Sequence, residues 1–164
     1  MPTEHRNTLC KEERLHGRNA VEELFKKAGS RSMTSFPLRV VYALNESNGD
    51  IDESQKQAKK QGVSTKMLVS VPKRLFKRAV KRNRVKRQVR EAYRKNKHSL
   101  CDTVSAMKGT TLSMAFIWID DQLHPSQEVE KKVVKLLKRI EEKITAKAAD
   151  CGQAANGNTT GEAL

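Results

Sequence analysis

Cysteine is scarce and unpaired in this sequence. Cys10, Cys101 and Cys151 are odd in number and far apart, which argues against a disulfide framework or the paired spacing of a zinc site and leaves three reduced thiols. His5, His16, His98 and His124 are equally scattered, none at ligand spacing from a cysteine or carboxylate. Long apolar runs are missing too. Nothing approaches the roughly 18 residues of a membrane span, and the opening MPTEHRNTLCKEER has no hydrophobic signal region. A cytoplasmic protein with no membrane attachment is expected. No paired-carboxylate, Ser/His/Asp or Cys/His constellation stands out, and acids do not cluster as a protein-only nuclease would need. Aromatic residues are few, 4% of 164 residues, beside 37% hydrophobic and 32% charged residues. That balance fits one modest core in the middle of the chain, flanked by polar ends.

Three stretches are polar enough to stay outside that core. Residues 1–14 read as a flexible N-terminus, 45–65 as an exposed loop rich in Asn, Ser, Asp, Gln, Lys and Gly, and 150–164 as a disordered tail, leaving a domain over 15–149. Inside the domain, Val21, Leu24 and Phe25 recur at i, i+3 and i+4, a short amphipathic helix stopped at Gly29. Phe36–Leu44 alternates as a strand with Leu38, Val40, Tyr42 and Leu44 on one side, and Ser30–Thr34 can pair with it. Lys66–Val71 is a second strand-like run ended by Pro72. Thr110–Ile119 is apolar enough for a central strand covered on both faces. Ser126 then caps a helix whose stripe is Val129, Val133, Leu136, Leu137, Ile140 and Ile144.

What the chain has in excess lies between Lys73 and Lys97. This stretch holds thirteen Lys or Arg and one acid, Glu91, a net +12 in a chain of net +14. Charge concentrated on one element marks a docking face for a polyanion, with nucleic acid the first candidate. At 100° per residue, Val85, Val89, Ala92 and Asn96 share one helix face with Tyr93 beside them. Asn83, Arg87, Arg90 and Arg94 line another, flanked by Arg84 and Lys86, along about 17 Å of axis. Glu91 is placed to pair with Arg87 or Lys95 at i±4. A zipper-type basic region is rejected, because Ser99–Met107 supplies no heptad repeat and strand-like segments flank the helix.

The run Ala79-Val80-Lys81-Arg82-Asn83-Arg84-Val85-Lys86-Arg87-Gln88-Val89-Arg90-Glu91-Ala92-Tyr93-Arg94 closely resembles the RNR motif of the bacterial ribonuclease P protein subunit. The order of elements from about Leu15 to Ile144 is similar to that family as well. The resemblance implies an α+β fold: a two-layer α/β sandwich of about four strands and three helices with a left-handed βαβ crossover, resembling a ribosomal-protein-type domain. It implies partnership with a catalytic RNA subunit and with precursor tRNA, whose 5′ leader the complex removes. Hydrolysis and its Mg2+ then belong to the RNA, and the protein alone holds no cofactor. Carried over by position, Arg82, Asn83, Arg84, Lys86, Arg87 and Arg90 face the catalytic RNA, with Lys73 and Arg74 as the basic pair ahead of them, and Arg94 joins the RNA-binding set from the polar stripe. Phe25 and Tyr42 match aromatic positions of the leader cleft, where stacking tolerates any base. Val21 stands where some members have a second cleft aromatic, and Leu75-Phe76-Lys77-Arg78 lacks the glycine many members carry, with Phe76 expected to pack nearby. The alternative is a ribosomal or RNA-chaperone protein using the same helix with no processing role.

Overall fold

A computed structural model describes residues 8–26, 28–46, 64–107 and 109–153. The elements are α1 (Arg18–Lys26), β1 (Arg31–Ser35), β2 (Leu38–Glu46), β3 (Thr65–Ser70), α2 (Ala79–Asn96), α3 (His98–Ala106), β4 (Thr110–Trp118) and α4 (Ser126–Gln153). The strands form one sheet in the order β1-β2-β4-β3. β1 and β4 run antiparallel to β2, while β3 runs parallel to β4. A parallel pair needs a crossover, and α2 with α3 supplies it. The fold is therefore the expected α+β arrangement around a mixed sheet. Among the described residues it has four helices where the sequence reading placed three. The missed one is α3, nine residues separated from α2 by Lys97 alone. With only Leu100 and Val104 buried, it presents too short an apolar stripe for periodicity to reveal.

Period-two alternation decides which helix lies on which face. Leu38, Val40 and Tyr42 of β2 join Met67 and Val69 of β3 and Leu112, Met114, Phe116 and Trp118 of β4 in a large core with α2, α3 and α4. The alternate residues Val41, Ala43 and Ala115 form a smaller cluster with Leu15 and Leu24 under α1. One face is thus fully roofed. The other is roofed only where α1 crosses it.

Residues 8–14, expected loose, are instead strapped to the domain. The backbone N–H of Met67 donates to the Glu13 carbonyl and that of Leu15 to the Met67 carbonyl, both at 2.8 Å. Glu13 and Lys97 form an ion pair at 2.6 Å with side chains 14% and 6% exposed. Composition marked the strap as polar; the buried Lys97 that fixes it lies far away in sequence. Residues 1–7, the greater part of the expected 45–65 loop and the tail from residue 154 lie outside the described residues.

Candidate nucleic-acid interface

The basic helix carries eight Lys or Arg and one acid between Ala79 and Asn96. Six like-charged pairs stand at i,i+3 or i,i+4 (81/84, 82/86, 84/87, 86/90, 87/90 and 90/94), each opposing the helix by about 0.2–0.5 kcal/mol. Burial outweighs them. Val85, Val89 and Tyr93 are fully buried, and each such side chain contributes about 1.5–3 kcal/mol. The Tyr93 hydroxyl is bonded to Thr65 Oγ1 at 3.1 Å, and burial pushes its pKa well up. Tertiary packing, not intrinsic propensity, therefore holds the helix in place and turns its charge outward.

Asn83, Arg84 and Arg87 are exposed on the outer face, and Lys86 and Arg90 are half-buried at its flanks. These cations make no hydrogen bond or ion pair among the described residues. Two other predicted residues are already engaged. Arg82 donates to the carbonyls of Phe76 and Lys77 at 2.6 and 2.8 Å, pinning the loop that enters the helix. Arg94 donates to Glu91 at 2.9 Å, and that bond holds Glu91 below the usual carboxylate range. The pairing of Glu91 expected with Arg87 or Lys95 is thus corrected to Arg94 at i+3, leaving Arg87 unneutralised. Lys73 and Arg74 sit exposed in the turn after β3, and Phe76 behind them is 4% exposed, packed as expected.

Gln88 bolts this helix to the loop before α4. Its Nε2 donates to the His124 carbonyl at 3.1 Å and to Ser126 Oγ at 3.0 Å. His124 in turn meets Asp120 at 2.5 Å and Glu128 at 3.4 Å. The Asp120 bond raises the histidine pKa, and the same bond lowers that of Asp120. A shallow trough lined by Val80, Asn83, Arg84, Arg87, Gln88 and Ser126 runs along this junction.

The two aromatic residues expected to line one cleft are on opposite sides of the sheet. Phe25 lies on α1 and is 47% exposed. Tyr42 points to the roofed face and is 4% exposed, near Arg31, Lys143 and Lys147; burial raises its pKa. The expected pairing of Tyr42 with Phe25 is therefore corrected: adjacent strand positions alternate faces, and α1 packs over Val41 and Ala43. That face also carries Arg39, Leu68, Ser70 and Ile117, placed in neighbouring rows by the strand register, with Leu68 and Ile117 packed against the cluster under α1. Sequence reasoning passed over these four. Arg39, the one cation within Leu38–Leu44, was the available signal.

A family model described as Ribonuclease P matches residues 9–141, from the strap into α4. The chain belongs to the ribonuclease P protein family. Two relatives, each called ribonuclease P protein component, come from Porphyromonas gingivalis strains ATCC 33277 and W83. They are 38% and 39% identical over 140 residues, which is 85% of this chain and 91% of each relative. The ribonuclease P match spans the whole sheet, the basic helix and the partly open face. It covers the interface as well as the fold.

Proposed function

We propose that this chain is the protein subunit of ribonuclease P, binding the catalytic RNA through the outer face of α2 and the 5′ leader of precursor tRNA through the partly open sheet face. The observation that carries the first half is the rigid row of Arg84, Arg87 and Arg90, unneutralised on a helix whose opposite side is wholly buried. Guanidinium groups at a fixed spacing suit the phosphates of a folded RNA. Lys73, Arg74, Asn83 and Lys86 extend the same face. Arg82 and Arg94 act there as positioning residues, since each already holds a neighbouring group.

For the leader, Phe25 supplies a half-exposed ring on α1, and the sheet face that α1 crosses supplies the apolar Leu68 and Ile117, with Arg39 for the backbone. A mixed aromatic and cationic surface takes single-stranded RNA without reading its sequence. Cleavage is assigned to the RNA partner and its Mg2+. A ribosomal or chaperone role would use the same helix, but the family match favours the processing subunit.

Reconstitution tests the reading. Precursor tRNA should be cleaved at low magnesium only when the protein and its cognate RNA are combined. Cleavage by the protein alone, or an RNA indifferent to its addition, would sink it.

A further inference from the structure

The strap over residues 8–15 does more than close the fold. It runs beside α2 and forms the second wall of a trough whose helical wall is Arg87, Arg90, Glu91 and Arg94. Arg14 lines the strap wall. Its neighbours fix its direction on both sides. Glu13 turns inward, where its carboxylate accepts bonds from Lys97 Nζ at 2.6 and 2.7 Å and from the Cys10 backbone N–H at 2.9 Å. Lys97 Nζ also donates to the Thr8 carbonyl at 2.5 Å, closing the loop of the strap. Leu15 is buried under α1. Between these anchors Arg14 is exposed, bridged through its backbone to Met67, and its guanidinium has no partner among the described residues.

Three cations, Arg14, Arg87 and Arg90, therefore border one open trough from two walls. The acid in it, Glu91, is already bonded to Arg94. Such an arrangement repels itself until an anion enters. We propose that the strap and α2 form a single phosphate-binding groove for one RNA backbone strand, and that Arg14 contacts that strand opposite Arg87 and Arg90. The Glu13–Lys97 pair is the positioning device that holds Arg14 there. This rests on the reading of α2 as the RNA-binding face and adds a second element to it.

The test is the salt dependence of binding by the full chain to two probes, the cognate catalytic RNA and a short RNA duplex. Arg14→Ala should lower the slope of log K against log salt by about one unit, the effect of one lost phosphate contact. Arg14→Lys should retain the slope, and the melting temperature of both variants should match the parent. Glu13→Gln should free the strap, lowering the melting temperature and losing the same unit of slope. If Glu13→Gln does not fold, Arg14→Ala decides alone. A parental slope for Arg14→Ala on both RNAs overturns the groove. A flattened slope on the duplex, in a protein that fails to stimulate precursor cleavage, leaves the groove standing while the ribonuclease P reading falls.

Discussion

Replacing Arg87 and Arg90 together by alanine should flatten the salt dependence of RNA binding without disturbing the fold. Among the residues read as facing the RNA, six cations are without a hydrogen-bond or ion-pair partner among the described residues: Lys73, Arg74, Arg84, Lys86, Arg87 and Arg90. If each neutralises one phosphate, log K falls with log salt at a slope of about −5.4, a loss of roughly 10³ in affinity between about 50 and 200 mM. Should Arg14 also contribute, both slopes steepen by about one unit and their difference is unchanged. The double variant keeps four of the six contacts, so its slope should be about −3.6 and its loss roughly 150-fold over the same range. Arg82→Ala serves as the internal contrast. Its guanidinium bonds the carbonyls of Phe76 and Lys77, so its removal should cost about 1–2 kcal/mol of stability and leave the slope alone. Fluorescence anisotropy across a salt series reads the first quantity, and thermal denaturation followed by circular dichroism reads the second. A double variant with the parental slope, or an Arg82→Ala variant that flattens it equally, would refute the assignment of which arginines touch RNA.

Lys97→Met should cost about 3–5 kcal/mol in urea denaturation, because it leaves the Glu13 carboxylate buried without its cation; a loss under about 1 kcal/mol, the level of a surface pair, would contradict the burial. The pair of His124 and Asp120 gives stability a two-sided pH profile. The raised histidine pKa makes its contribution complete below the ordinary histidine value and lost as pH rises through the folded value. The lowered Asp120 pKa makes its contribution complete above the ordinary aspartate value and lost as pH falls through the folded one. His124→Gln should remove the alkaline decline seen in melting temperature against pH, and persistence of that decline would assign it to another group. Tyr42→Ala should destabilise by about 3–5 kcal/mol with the preference for precursor over mature tRNA intact. Phe25→Ala, at an exposed position, should lower that preference with little change in stability; the reverse pattern would place the leader on the other face.

The basic helix was legible because its signal is local. Charge concentration and a 3.6-residue apolar stripe need only neighbouring residues, and Val85, Val89, Ala92 and Tyr93 are the buried side as read. The strands were legible for the same reason, down to Leu38, Val40 and Tyr42 sharing one side of β2. Alternation states that two faces differ. It does not state which helix covers which, and so it could not test the placing of Tyr42 with Phe25 in one cleft that the family resemblance implied.

Sequence alone thus determined the charge, the two-sided character of α2 and the family resemblance, since these depend on residue type and short-range period. Tertiary structure decided which cations remain available, because Arg82 and Arg94 are engaged by groups whose geometry exists only in the folded chain. It also decided that the N-terminal strap lies beside the helix. That contact depends on Glu13 and Lys97 meeting across 84 residues, and no local pattern encodes an encounter at that separation.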